Sequence, residues 1–391
     1  MNERKDKLVT KMTILAISLM FISGSAIGAA IPKIRDYYHL TQTQTELLMT
    51  SMNAVKIISI FISVFIVKKF GLKKTILWGL LLVGASGMLP LLIDDYVAVL
   101  GSRLLLGIGL GMYNAPAIRY VSLLYKGQMR ATLLGFRTSV EGVGQALLTL
   151  IGGGLISIHW NLGFAVYLVA IPLALAFYWI VPSVKEEVQR IEEKENYEKM
   201  PIRIHILIII AMFMIANWAA IGMRFPSIAT EIQGVGFNAS HLLAIFPLVG
   251  VLSGISFGFL NKKLGNSLFY LGILALVAGN FLIYFSSGNL MILFWGALIA
   301  TICPFWCLPF IFETISKLPT ARNQKIATTM ALIGMNMGTF LSPLIMEATH
   351  RILDNYYLET PFLIFGSLFS LMLIKAMQRF YHIQKSTKVN L

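Results

Sequence analysis

Apolar runs of about twenty residues recur along the chain, each closed by a short cluster of charged or turn-forming residues. Hydrocarbon about 30 Å thick needs roughly 20 apolar residues per crossing helix at about 1.5 Å rise each, so each run has the length of a membrane span. Twelve spans are predicted, at 12–32, 47–67, 75–93, 96–118, 131–156, 160–181, 205–226, 241–260, 268–286, 289–312, 325–347 and 360–380. One long polar stretch interrupts them, SVKEEVQRIEEKENYEKMPIRIH at 183–205. Its alternating charges predict a solvated, partly helical linker. The expected fold is an all-α integral membrane protein of twelve transmembrane helices. Residues 1–182 make one six-helix bundle, 183–204 the cytoplasmic linker, and 205–391 a second six-helix bundle with a cytoplasmic tail.

The two halves repeat each other. AIGAAIPKI (26–34) and AIGMRFPSI (220–228) lie 194 residues apart and agree at Ala, Ile, Gly, Pro and Ile. At the same spacing KKFG (68–71) answers KKLG (262–265), and Gly144 answers Gly338. The first span has the apolarity of a leader peptide, but its sequence recurs in the seventh, so it is expected to stay in the fold. Six helices per half keep both halves in the same orientation, which predicts a pseudo-twofold axis along the membrane normal. Such a design places a small-molecule site between the halves near mid-membrane. It works by rocking one half against the other.

Composition agrees with the spans. The chain is 57% hydrophobic and 13% charged with mean hydropathy +0.75, outside the range in which a soluble domain covers itself with charge. A net charge of +14 raises nucleic acid as a partner, and its distribution removes that need. Bases crowd the predicted inner segments, among them Lys11, Lys68, Lys126, Arg130, Lys317 and the linker and tail residues. Lys33, Arg35 and Arg351 alone occupy the opposite loops, where Asp36, Glu46, Asp94, Asp95, Glu231, Asp354 and Glu359 are expected to decorate the outer face. This asymmetry predicts a multi-pass plasma-membrane protein with both termini cytoplasmic.

The turn VKKFGLKK (67–74) resembles the signature of the major facilitator superfamily between helices 2 and 3, an acid and a base before a glycine followed by further bases. Lys69, Gly71, Lys73 and Lys74 fit; Lys68 stands at the acid, Val64 at the leading glycine and Leu72 at a base. In the second half Gly258, Lys263 and Gly265 fit, and Lys262 takes the acid's place. The resemblance implies a gating loop at these positions. RLLLGIGLG (103–111) is similar to the family's arginine pattern of helix 4, with Leu106 where glutamine is commoner. IGGGLISIHWNLGFAVYLVAIP (151–172) looks like the drug-efflux members, although GQALLTLIGGG (144–154) lacks the Gly-Pro pair of the antiporter signature.

Charges inside spans are costly, about 2.5 to 3.5 kcal/mol on insertion scales, and normally face a cavity or a partner. Lys56, Arg103, Arg119, Arg137, Glu141 and Arg224 qualify by position. Arg137 and Glu141 are four apart and share a helix face. Either they neutralise each other, or Glu141 carries the coupling proton with Arg137, Lys56 or Arg103 alternating against it. Arg224 stands where the first copy of the repeat has Ala30. There it attracts an anion, closes an outer gate with an acid, or snorkels to the surface. Tyr113, Asn114, Asn217, Trp218, Phe305, Trp306 and Phe310 are the candidate substrate contacts, with Pro304 and Pro309 bending the tenth span.

Cys303 and Cys307 share a face without histidine partners, so neither a metal nor a disulfide framework is expected. No phosphate-binding loop or hydrolase motif occurs, which excludes ATP-driven pumping and catalysis and leaves a cofactor-free, non-enzymatic secondary carrier, expected to be monomeric. The leading expectation is proton-coupled export of small amphipathic organic compounds by antiport. The alternatives are a carrier of small organic or inorganic anions, resembling the nitrate and cyanate branches, and a sensor without flux.

Overall fold

The computed structural model describes residues 8–183, 200–234 and 236–389. The expected basic residues Arg4, Lys5 and Lys7, and the linker apart from its two ends, lie outside the described residues. Each apolar run has become a helix. The spans are α1 (Leu8–Met20 with Ser23–Tyr37), α2 (Gln42–Phe70), α3 (Leu72–Leu92), α4 (Tyr96–Leu124), α5 (Gly127–Ile158) and α6 (Trp160–Ile180). After the linker come α7 (Ile202–Gln233), α8 (Ser240–Leu264), α9 (Ser267–Tyr284), α10 (Leu290–Ser316), α11 (Ala321–Leu353) and α12 (Thr360–Val389). Ten are long and apolar enough to cross a bilayer; α1 counts as an eleventh across its bend, and α12 is apolar over Thr360–Lys375. No strand occurs among the described residues.

Local chemistry sets where the helices stop. Thr41 caps α2 with a reciprocal box, its hydroxyl accepting from the Gln44 N–H at 3.2 Å while the Gln44 side chain accepts from the Thr41 N–H at 2.9 Å. Asp95 and Asn289 cap α4 and α10 in the same sense. Gly71 (φ 83°) and Gly265 (φ 52°) end α2 and α8 at positive φ, so the repeated KKFG and KKLG turns both place glycine where other residues are strained. These two turns and the linker ends share one face of the bundle. That face is termed the linker face, and the opposite one the far face.

Helices α1–α6 and α7–α12 form two six-helix bundles. The repeat is visible in their packing. A Cβ on Gly144 would strike the backbone of Leu19 in α1, and one on Gly338 would strike the Met212 carbonyl in α7, so α5–α1 and α11–α7 approach at repeat-related glycines. Each bundle encloses its own apolar interior, with Tyr113, Phe164 and Tyr167 in the first and Phe362, Phe365 and Phe369 in the second, all fully buried. Phe61, Phe65, Trp179 and Phe259 are exposed on the outside of the bundle, as lipid-facing positions are.

The repeat is not exact: α6 opens as a 3-10 helix over Trp160–Val169 where α12 is α-helical, and α1 differs from α7. Span α7 runs unbroken through Pro226, whereas α1 bends by 42° and passes through short 3-10 turns between Ile17 and Ala30. The difference follows residue type: Ile22-Ser23-Gly24-Ser25 in α1 stands opposite Ala216-Asn217-Trp218-Ala219 in α7. A Ser-Gly-Ser run has weak helix propensity and is a usual place for a kink.

Candidate functional site

Two connected spaces lie between the bundles. A chamber of about 110 Å³ sits under the far face, its wall mainly apolar, with Met49, Met223 and Phe246, and carrying the polar side chains of Thr50, Asn53 and Thr301. A cavity of about 850 Å³ continues toward the linker face, with Thr132 and Phe136 of α5, Pro304, Phe305 and Pro309 of α10, and Phe312 on its walls. Gln145, Trp218 and Pro247 line both spaces and form the waist between them. Of the aromatic candidates, Trp218 and Phe305 lie on the cavity wall.

The charged cluster flanks the waist on the first bundle. Arg137 pairs with Glu141 at 2.7 Å, donates to Asn114 Oδ1 at 3.2 Å and lies 4.1 Å above the Phe21 ring. Tyr113 stacks on the same Phe21 at 4.8 Å, and its hydroxyl, buried, has no hydrogen-bond partner. The Lys56 ammonium lies within Coulombic reach of both Glu141 and Arg137. One helical turn connects this group to the cavity wall on two sides: Gln145 follows Glu141 by four residues and Asn53 precedes Lys56 by three. The pair is largely buried, with side-chain exposure of 17% for Arg137 and 12% for Glu141, and lies behind the cavity wall formed by Gln145 and Asn53. Two bases face one acid here, so the fully ionised cluster carries an uncompensated positive charge.

A second ion pair joins the two bundles at the far face. Arg224 Nε of α7 lies 2.6 Å from Glu46 Oε1 of α2, and Nη2 donates to Oε2 at 3.4 Å. Both side chains are buried, at 1% and 0% exposure. Gln42 donates to Glu46 at 2.7 Å and to Ser227 of α7 at 3.0 Å, and Thr43 donates to Glu347 of α11 at 2.9 Å. His350 of α11 completes the group, its Nε2 3.1 Å from Arg224 Nη1 and its Nδ1 2.7 Å from the Asn355 carbonyl.

This arrangement corrects two expectations. Glu46 does not decorate the outer face, and Arg224 does not snorkel. The predicted second span began at 47 because a hydropathy window stops at a charge, whereas the Thr41 cap starts the helix earlier and carries Glu46 into the interface. The capping pair in TQTQTE was the available signal; His350 and the waist residue Gln145 had none.

The remaining candidates divide by location. Arg103 is fully buried inside the first bundle, donating to the Tyr167 hydroxyl at 3.1 Å and lying 4.9 Å and 5.0 Å from the Phe164 and Tyr167 rings, apart from the Glu141 cluster. Asn217 does not face Asn114: it exchanges hydrogen bonds with Asn280 of α9, at 2.7 and 3.0 Å, inside the second bundle, while Asn114 holds Arg137. Trp306 donates to the Ser253 carbonyl at 3.2 Å, and Phe310 packs 4.9 Å from Phe269, so α10 presents only Phe305 of its three aromatic candidates to the cavity. In the α2–α3 turn Lys73 donates to the Val181 carbonyl at 2.6 Å and covers the Tyr178 ring, Lys69 lies over Phe70, and Lys74 is exposed. In the second half Lys263 lies over Phe259, Gly265 ends α8, and Gly258 faces open space. Among the described residues no cluster of His, Cys, Asp and Glu has the makings of a metal site.

Comparisons with known proteins converge on one family. The family profile described as Major Facilitator Superfamily matches residues 13–343. The hexuronate transporter of Bacillus subtilis (strain 168) is 24% identical over 271 residues, which are 65% of this chain and 64% of that one. The bacillibactin exporter of the same organism is 26% identical over 153 residues, 37% of this chain and 38% of its own. The matched regions thus span less than two thirds of either relative. In three dimensions the crystal structure of the nucleoside transporter NupG superposes with a TM-score of 0.74 at 12% identity, covering 96% of this chain and 99% of NupG.

Proposed function

The chain belongs to the Major Facilitator Superfamily and is a multi-pass membrane transporter, and from that premise we propose that it carries small organic anions together with protons by alternating access. The observation that supports this reading is the charge of the cluster one helical turn behind the cavity wall, in which Lys56 and Arg137 face Glu141 alone. A carboxylate entering the cavity balances the excess base, whereas a cation adds to it at low dielectric, where like charges a few ångströms apart repel by several kcal/mol. Arg103 and Arg224 are engaged elsewhere, so the anion falls to Lys56 and Arg137. The hexuronate transporter's name agrees with a carboxylate substrate.

Coupling follows from the Arg137–Glu141 pair. Protonation of Glu141 releases the guanidinium, which is then free to take the substrate carboxylate. Proton and anion therefore bind together, and an inward proton gradient drives uptake. Asn114 orients the arginine and Tyr113 packs the Phe21 ring beneath it, while Trp218 and Phe305 hold the body of the substrate at the waist. The bundles at 1–182 and 205–391 rock about the linker, and the excess of Lys and Arg on the linker face supports a cytoplasmic side for it in a plasma membrane. One chain encloses the whole pathway, so a monomer suffices.

One observation favours a second reading, export of amphipathic compounds by antiport: the 850 Å³ cavity toward the linker face has Phe136, Phe305 and Phe312 on its walls, room for a larger apolar solute. Purified protein in proteoliposomes with an internal pH dye separates the two. Glucuronate, gluconate and tetraphenylphosphonium are added singly. Anion-evoked proton entry that Lys56→Met removes supports symport. Proton release evoked by tetraphenylphosphonium, indifferent to Lys56→Met and lost in Glu141→Gln, establishes export instead.

A further inference from the structure

We propose that Glu46, Arg224 and His350 form a second proton-binding site, separate from the cavity, whose protonation opens the far-face seal. The inference rests on alternating access and not on the anion reading of the cavity.

The geometry is that of a latch held by two proton acceptors. Glu46 belongs to the first bundle, Arg224 and His350 to the second, so the far face cannot open without separating them. The Asn355 carbonyl can only accept, which assigns the Nδ1 proton of His350 and leaves a lone pair on Nε2 in the neutral ring. That lone pair faces an Arg224 N–H at 3.1 Å. Arg224 is thus gripped by a carboxylate and by a neutral imidazole. A proton on Glu46 removes the charge that holds the guanidinium. A proton on His350 turns its acceptor into a donor and sets two cations face to face. Both events weaken the closed state, and neither penalises the open one, where the groups are hydrated.

The other charged groups around the latch are few. Arg35 reaches Gln42 from α1 at 2.9 Å, Arg351 holds Glu347 at 2.9 Å on α11, and Glu231 and Glu359 act on the same field from α7 and the start of α12. The repeat supplies an internal comparison. Positions 46, 153, 157 and 238 have as partners 240, 347, 351 and 44, so the contact of α8 with α5 at the far face is the counterpart of that of α2 with α11. The α8–α5 seam is closed by Asn238, which donates to the Gly153 carbonyl and to Ser157, each at 2.7 Å, with Ser240 where the other seam has Glu46. The Glu46–Arg224 pair itself joins α2 to α7, and its repeat counterpart is Ser240 of α8 with Ala30 of α1, both uncharged. Glu46 also lies ten residues from Lys56 on α2, about 15 Å along the axis, so a proton arriving from the far face meets the latch before it meets Glu141.

Electron–electron resonance distances between spin labels test this without substrate. Labels at Leu92→Cys of the first bundle and Ile352→Cys of the second, in a Cys303→Ala/Cys307→Ala background, report far-face separation in lipid nanodiscs; both positions are well exposed. The expected result is a longer distance that gains at least about tenfold in population ratio between pH 8 and pH 5. Glu46→Gln should populate that distance already at pH 8, and His350→Gln should flatten the pH response. A distribution unchanged from pH 8 to pH 5 overturns the proposal, with no variant involved. So does a pH response that survives intact in both Glu46→Gln and His350→Gln. With no substrate present, either failure leaves the anion reading standing, just as loss of the anion reading leaves this one.

Discussion

Removing Arg224 isolates the worth of the inter-bundle ion pair. In the structure Glu46 is fully buried and receives its charge partner from Arg224, with one further hydrogen bond from Gln42. The Arg224→Met substitution keeps the stem and deletes the charge, leaving a buried carboxylate without its counter-ion. Breaking a buried pair in this way costs about 3–5 kcal/mol, nearly all of it charged to the sealed state, since water solvates Glu46 once the far face opens. At about 1.4 kcal/mol per decade the open-to-closed ratio rises roughly 140- to 3,700-fold. Thr50 supplies the readout, because it lines the sealed chamber and is only 4% exposed. A Thr50→Cys protein is labelled from the far face with a membrane-impermeant thiol reagent at fixed pH. Arg224→Met should accelerate labelling by two to three decades until access ceases to limit the rate. Adding Glu46→Met should slow it again to within about tenfold of the parent, since an apolar pair of similar volume closes as well as an ionic one. If the double variant labels as fast as the single one, the charge pair is not what holds the seal, and the calculation is wrong.

Three further outcomes follow from the cavity and the packing. Lys56→Met removes one charge-assisted contact of about 1.5–3 kcal/mol, so the KM for glucuronate counterflow in proteoliposomes should rise about 10- to 150-fold. Glu141→Gln should keep glucuronate exchange and abolish its accumulation against a gradient under an imposed pH difference, because Arg137 is then permanently free. Gly144→Val places a Cβ about 2.6 Å from the Leu19 backbone and should abolish folded, membrane-extracted protein, whereas Gly258→Ala meets nothing within 4 Å and should preserve yield and monodispersity in size-exclusion chromatography.

What the sequence by itself determined is the part governed by solvent. Hydrocarbon admits only helices and closed barrels, which satisfy their own backbone, so apolar runs of helical length and a repeat at 194 residues were enough to state the all-helical membrane fold, and the four-residue spacing of Arg137 and Glu141 is an ion pair in the structure. Pairing between helices was not legible. Asn217 and Asn114 occupy comparable positions in their spans, yet one turns into its own bundle to meet Asn280 and the other toward Arg137. Arg103 looked equivalent to Lys56 as a buried base, and only packing showed it against Tyr167 rather than Glu141. Glu46 and His350 lie 304 residues apart, and no local pattern connects them through Arg224. A helix's periodicity says which residues share a face and nothing about which face of another helix they meet. That choice belongs to the way two twelve-ångström cylinders settle against each other, and it decides where the charges of this transporter do their work.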